Sequence, residues 1–447
     1  MSSLHSDQTS PLAAGEPSDP LVALSAIHPD VAPGAAPAPA VRRKLRRRKL
    51  HFARPDIGRE EIQAVTRVLK SGWLTSGPET LAFEQEFAAA VRAGSEIHAI
   101  AVNSCTAALH LALAAWDLGP DDAVLVPALT FTATAEIVEY SGSLPIILDV
   151  NPETYLMDAD IIEDFIRKFC TYKNKTLVHR PSGKKIRVIL PVHLGGRPCE
   201  MDALLKLAKR YGLKVLEDAA HAFPTAYNGR AIGALGDATA FSFYATKNLT
   251  TGEGGMLTTS NKRLAERIRR MRLHGIKGQT YGRKRWHYDV VERGFKYNMS
   301  DINAALGRVQ LERSAEMLAH RKAIHEIYDR ALADVPGLRL NPTTPHQSSH
   351  HLYTIEILQN SRNGDPRGAG MRRDRFVEEM YARNIAVSLH FIPLYRLSRY
   401  RKTYGLKTKD FPNCEKIYQS IVSLPLYSAR TADDAADVAF AIRETLL

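Results

Sequence analysis

The chain has 447 residues and only four cysteines, at 105, 170, 199 and 414, with no C-x-x-C pair among them. Neither a disulfide framework nor a thiolate zinc site has a basis in that spacing, and no metal is expected. No apolar run approaches the length that spans a bilayer, and the N-terminus lacks the charged-then-apolar pattern of a signal peptide. A cytoplasmic protein without stable membrane association is expected. There is no internal repeat and no recognisable DNA-binding module, so a solenoid is excluded and nucleic acid is not an expected partner.

What is present is enough apolar residue, 45%, to bury a sizeable core. The formal charge of +12 is not gathered into one basic domain. Residues 42–49, RRKLRRRK, hold seven basic side chains, and Asp7, Glu16, Asp19 and Asp30 precede them. Residues 1–41 are rich in Ala, Pro, Ser and Gly and bury too little to order themselves, so 1–49 reads as a disordered basic tail. A moderately basic body suits an enzyme with a polyphosphate substrate as well as it suits a nucleic-acid binder.

From Leu50 onward, strand-like and helix-like segments alternate. REEIQAVTRVLK (59–70) has helical spacing, and GWLTSGP (72–78) breaks it. Strands are expected at Ile97–Val102, Ala123–Val126, Pro145–Asp149, Arg187–Val192, Lys214–Glu217 and Ala238–Tyr244. Helices between them include ALHLALAAW, Phe131–Tyr140 and Met201–Tyr211. This alternation predicts an α/β fold with a mostly parallel sheet, whose ligands bind at the carboxyl ends of the strands. Residues 170–187 read as an inserted polar loop or hairpin. A long helix from 301 leads to a smaller α+β domain with strands in HHLYTIEIL and IAVSLHF, a helix in MRRDRFVEEMYARN, and a closing helix capped by Thr431. The expected domains are 50–315 and 316–447.

The chemistry concentrates near Lys247, which leaves the strand Ala238–Tyr244 in a Thr/Asn/Gly-rich turn. Desolvation by apolar strand residues would lower an amine's pKa and make it nucleophilic, although one loop lysine is by itself unremarkable. Gly252, Gly254 and Gly255 would let a flat cofactor approach the turn. EDAAH (217–221) ends a strand with Asp218, and a buried carboxylate needs a cationic partner such as a protonated pyridine nitrogen. His221 can stack on a ring or serve as a structural histidine. NSCTAALHLAL opens a helix with Ser104, Cys105 and Thr106, which can cradle a phosphate or simply cap the helix. Phe131 in PALTFTAT can lie on a ring or in the core, and Ser242 can add a hydroxyl. Arg283, Lys284 and Arg285 can contact a diphosphate or form a solvated charge run.

Taken together, GWLTSGP, NSCTAALHLAL, PALTFTATA, PVHLGG, EDAAHA, FSFYATKNLTTGEGG, YNMSDINAALG, HHLY and SLPLY, in this order from about Pro55, resemble the DegT/DnrJ/StrS family of pyridoxal-phosphate-dependent nucleotide-sugar aminotransferases. The resemblance implies the aspartate-aminotransferase fold, fold type I, with pyridoxal 5'-phosphate as cofactor. It implies that Lys247 bonds the cofactor, that Asp218 pairs with the pyridine nitrogen, and that His221 and Phe131 flank the ring. Ser104, Cys105, Thr106 and Ser242 would lie near the phosphate, joined by Asn298 from the other subunit of a homodimer, with Thr75 near the substrate. The expected reaction moves an amino group from glutamate to a nucleotide-linked keto-sugar, a 4-keto-6-deoxyhexose, for amino-sugar and surface polysaccharide biosynthesis. An aminocyclitol aminotransferase, a sugar dehydratase and a non-catalytic binding protein are the alternatives. Lysine rather than histidine at 247 favours transamination.

Overall fold

The computed structural model describes residues 48–94, 96–277, 288–358 and 372–447. The tail, apart from Arg48 and Lys49, therefore lies outside the described residues.

Among the described residues, eleven strands lie between His98 and Thr259. They are β1 (His98–Val102), β2 (Asp122–Pro127), β3 (Leu144–Leu148), β4 (Cys170–Lys173), β5 (Thr176–His179), β6 (Lys185–Ile189), β7 (Lys214–Asp218), β8 (Ala226–Tyr227), β9 (Arg230–Ala231), β10 (Ala238–Ser242) and β11 (Gly255–Thr259). All but β8 and β9, a ribbon of their own, join one sheet along the path β1-β11-β10-β7-β6-β2-β3, with β5 and then β4 branching from β6. β3, β2, β6, β7 and β10 run parallel. β11 is reversed between β10 and β1.

Apolar clusters cover both faces. Phe83, Phe87, Leu125, Ile189 and Phe241 belong to one, and Ile100, Val124, Val126, Leu216 and Leu257 to the other. Burial on both faces is why β2, DAVLVP, reads as a continuous apolar run rather than an alternation. The helix Cys105–Ala115 is buried along most of its length and is correspondingly apolar nearly all round.

Of the two readings of 170–187, the hairpin is the one found: β4 and β5 turn over Asn174 and Lys175, both at positive φ, and β5 pairs with the start of β6, so the hairpin extends the sheet. Two expectations need correction. The helix from 301 is two helices, Asp301–Glu312 and Ser314–Leu332, interrupted at Arg313, which ion-pairs with Asp56 and buried Glu61. IAVSLHF is not a strand. Ile385 bridges to Leu50 and Ser388 to Ser423, so its bonds go to two separate neighbours and no ladder forms. After β12 (Ile276–Lys277) and β13 (Asp289–Val290), which pair with each other, the C-terminal sheet is β14 (Leu338–Arg339), β15 (Tyr353–Ile357) and β16 (Ile421–Leu424). It has its own apolar cluster, including Tyr328, Ile355, Phe376, Val422 and Ile442. Thr431 caps its helix as expected, accepting from Asp434 N–H at 3.1 Å, and Ser300 caps the helix Asp301–Glu312, accepting from Asn303 N–H at 3.3 Å.

Candidate active site

Lys247 stands on a closed excursion between β10 and β11. Phe243 N–H donates to Gly254 O and Thr251 N–H to Phe243 O, both at 2.9 Å, which pins the two ends of the loop. Lys247 N–H donates to Tyr244 O at 2.9 Å and makes the turn that presents the side chain. Desolvation lowers its amine from the ordinary lysine range to about 8, opposed by nearby Cys105 and Asp218. A substantial fraction is therefore neutral and nucleophilic near physiological pH.

Asp218 ends β7, next to β10 in the sheet. It is buried, and its carboxylate accepts from Thr134 Oγ1 at 2.9 Å and from Ala220 N–H at 3.1 Å. Thr130 Oγ1 lies 2.7 Å from Thr134 Oγ1 and extends the chain of hydroxyls. Burial raises the carboxyl above its usual range while these hydrogen bonds pull it back. No cationic side chain among the described residues forms a salt bridge with it. A buried carboxylate held by two donors and in no salt bridge among the described residues is suited to a cationic ring nitrogen.

The third part is a cradle at the N-terminus of the helix Cys105–Ala115. Gly255 pairs with Val102 on one side and Ser242 on the other. A Cβ there would sit 2.4 Å from Ser104 C and 2.6 Å from Cys105 N, so only glycine lets the helix start press against the strand ends. Ser104, Cys105, Thr106 and Ser242 are thereby gathered in one place, where helix N–H groups favour a dianion. Ser104 Oγ accepts from Ala107 N–H at 3.1 Å, the N-cap bond. Cys105 is buried, and burial and then Asp218 raise its thiol well above the usual range, so it stays protonated.

His221 Nδ1 accepts from Gly195 N–H at 3.2 Å, which puts the hydrogen of the neutral ring on Nε2. Its ring stacks with Phe391 at 5.8 Å between centroids. Phe131 is 53% exposed and is also 5.8 Å from Phe391. Burial, and then Lys247, holds both His221 and His390 neutral, His390 at about 3.

Asn298 forms a bridge with Val102, donates from Nδ2 to Ser76 Oγ at 2.8 Å and accepts from Lys296 at 2.6 Å. Thr75, next to Ser76 in sequence, is exposed, and Arg283, Lys284 and Arg285 lie outside the described residues. Thr134, Phe391, His390, Ser76 and Asn248 were not singled out from sequence, although TFTAT and TKN contain two of them. Among the described residues no cluster of three or more His, Cys, Asp or Glu is placed to hold a metal. A cavity of about 340 Å³, lined by residues including His110, Tyr140, Arg293 and Phe295, includes neither Lys247 nor Asp218 in its lining.

An amine of lowered pKa, a buried carboxylate in no salt bridge among the described residues and a glycine-dependent anion cradle together fit pyridoxal phosphate. Residues 55–443 match the model of the DegT/DnrJ/EryC1/StrS aminotransferase family. The spore coat polysaccharide biosynthesis protein SpsC of Bacillus subtilis is 42% identical over 402 residues, 88% of this chain and 96% of that protein. Among solved structures, PseC of Helicobacter pylori, an aminotransferase involved in the biosynthesis of pseudoaminic acid, has TM-score 0.78 and 25% identity, covering 89% of this chain and 99% of that one. DesI, solved in the presence of its TDP-sugar product, has TM-score 0.74 and 29% identity, covering 89% and 93%. The chain belongs to the DegT/DnrJ/EryC1/StrS family and is a pyridoxal-phosphate-dependent aminotransferase.

Proposed function

We propose that this enzyme moves an amino group from glutamate to the keto group of a nucleotide-linked sugar, a 4-keto-6-deoxyhexose, in amino-sugar biosynthesis for surface polysaccharide, acting as a cytoplasmic homodimer. The observation that carries the site assignment is Asp218 at the end of β7 beside the loop after β10 that holds Lys247, the amine lowered to about 8 and the carboxylate buried and in no salt bridge among the described residues. SpsC acts in polysaccharide biosynthesis and DesI has a TDP-sugar product, which supports a nucleotide-linked substrate here.

In this reading the cofactor supplies an electrophilic carbonyl and an electron sink. Lys247 would hold the cofactor covalently, and as a free neutral amine it would move the proton at the amino donor's α-carbon. Asp218, steadied by Thr134, holds a proton at the ring nitrogen. Ser104, Cys105, Thr106 and Ser242 hold the phosphate at the helix start, with Asn298 contributed by the neighbouring subunit. His221, Phe131 and Phe391 limit the ring's tilt and exclude water. Thr75, Arg283, Lys284 and Arg285 contact the substrate, the basic residues at its diphosphate.

The test loads the enzyme with the amine form of the cofactor and mixes it with a panel of nucleotide keto-sugars, the corresponding free keto-sugars and keto-cyclitols. Return of the visible absorbance with nucleotide-linked 4-keto sugars alone is expected. An equal response to free keto-sugars or keto-cyclitols removes the diphosphate handle from the proposal.

A further inference from the structure

Asn248 follows the proposed nucleophile directly, and its side chain bonds two groups of one distant segment. Nδ2 donates to Ser349 O at 2.6 Å, and Oδ1 lies 2.9 Å from His351 Nδ1. These contacts fix the chemistry without ambiguity. A backbone carbonyl can only accept, so the amide nitrogen must face Ser349 and the amide oxygen must face His351. His351 Nδ1 therefore carries a hydrogen, and Nε2 of the neutral ring keeps a lone pair with no protein partner among the described residues.

The segment Ser349–Leu352 leads into β15 of the C-terminal sheet. It is also tied to the rim that carries His221. Ser349 Oγ donates to His221 O at 2.6 Å, Ser349 N–H to Gly196 O at 3.2 Å, and His351 N–H to Gly195 O at 3.2 Å. Gly196 has φ 91°, and a Cβ on it would meet Ser349 Oγ at 2.1 Å, so this crossing exists only because glycine is there. The His221 and His351 rings end 4.3 Å apart between centroids. One strap thus holds both the His221 turn and the Lys247 turn, and Asn248 is its only described side-chain link to the latter.

We propose, on the reading of Lys247 as the reactive amine, that Asn248 is a positioning residue: its amide locks His351 as the Nδ1–H tautomer and ties the Lys247 turn to the strap Ser349–Leu352. Placement and tautomer are then set by one side chain. An aspartate at 248 keeps the shape and the acceptor oxygen, loses the donor to Ser349 O, and puts a negative charge beside His351 Nδ1. That charge stabilises the imidazolium. Burial chiefly opposes a positive charge on His351; the titratable and charged groups facing it are His221, Lys247, Arg321 and His390, and of these the cations Lys247 and Arg321 oppose it further.

The experiment uses the full chain with and without cofactor. In the cofactor-free protein, imidazole ¹⁵N NMR assigned by comparison with His351→Gln should show His351 protonated on Nδ1 and bare on Nε2. Asn248→Asp should protonate both nitrogens or raise the histidine's pKa by about one unit or more. Asn248→Ala should return His351 to a tautomer mixture. In the loaded enzyme, Asn248→Ala should lower kcat by on the order of tenfold to a hundredfold, and Asn248→Asp should add an ionisation to the kcat/KM profile that Asn248→Ala lacks. An Nε2–H tautomer in the parent protein overturns the proposal, as does an Asn248→Asp variant with unchanged NMR and pH profile. Borohydride labelling tests the Lys247 reading separately: label on another lysine ends that reading, while the NMR result still decides the Asn248 contact.

Discussion

Thr134 donates its hydroxyl hydrogen to Asp218 at 2.9 Å, across 84 residues of sequence, and is the only side chain among the described residues that hydrogen-bonds that buried carboxylate. Thr134 is the third Thr of TFTAT, in the first turn of the helix Ala133–Tyr140, and Asp218 ends β7, so the contact ties that helix to the strand whose tip carries the acid. The carboxylate's orientation, and with it the direction in which it can receive a ring nitrogen, depends on this bond.

Asp218→Asn removes the charge that holds the ring nitrogen protonated, and activity is expected to fall on the order of a thousandfold. Thr134→Val leaves the charge and removes one hydrogen bond to it, a loss of about 1.5–3 kcal/mol for a bond to an ionised group. Its effect on kcat is expected to be smaller than that of Asp218→Asn, with a cofactor absorbance spectrum altered in the same direction. Steady-state kinetics of the two variants checks the order. A Thr134→Val enzyme more damaged than Asp218→Asn contradicts it.

The pH dependence of loading follows from Lys247. Only the neutral amine attacks the cofactor's carbonyl, and the amine's pKa is lowered to about 8. Raising the pH through 8 increases the neutral fraction, so the rate at which the cofactor-free protein forms its covalent bond should rise with a midpoint near 8 and level off above it. Stopped-flow absorbance across pH 6.5 to 9.5, roughly one and a half units either side, covers the transition. A midpoint near the ordinary lysine value contradicts the desolvation argument. Lys247→Ala should still bind cofactor through the phosphate cradle yet turn over negligibly.

Gly255→Ala isolates the cradle. A methyl group there must displace the backbone of Ser104 and Cys105, because the contacts of 2.4 and 2.6 Å are with main-chain atoms that cannot swing aside. Cofactor affinity should fall by at least tenfold, about 1.4 kcal/mol, while the variant remains folded. Equilibrium dialysis of cofactor against circular dichroism separates the two effects. Unchanged affinity means that the helix start does not hold the phosphate.

Much of this arrangement is legible in the chain because its signals are local. Met201–Tyr211 has helical spacing and was placed at its observed bounds, and Lys214–Glu217 is extended in the structure by a single residue, Asp218. β11, GMLTT, was missed because it follows a Gly-rich loop and is too short to show a period, although it completes the cradle. IAVSLHF has the composition of a strand, but its partners Leu50 and Ser423 lie far away in sequence, and nothing local reveals that they divide its bonds. Lys247, Asp218 and His221 each sit in a motif. Thr134 and His351 act through contacts across 84 and 103 residues, and such contacts exist only once the sheet has assembled.

Asn298 provides the sharpest test of assembly. Each end of its amide has a partner within one protomer, Ser76 and Lys296, and the second Nδ2 hydrogen is the one that can donate to a neighbour's phosphate. If it does so, Lys247→Ala and Asn298→Ala damage different chains of a shared site. Mixing the two inactive or weakened variants under conditions that exchange subunits then creates hybrid dimers. In each hybrid one site combines Lys247 from one chain with Asn298 from the other and is intact, while the other site carries both lesions. With random exchange, half the dimers are hybrids with one good site each, so about a quarter of the parent activity should return. If Asn298 acts within its own chain, every site in every hybrid carries one lesion, and mixing restores nothing. Sedimentation velocity on the same samples confirms that subunits have exchanged, so an absence of recovery with exchange demonstrated assigns Asn298 to its own protomer.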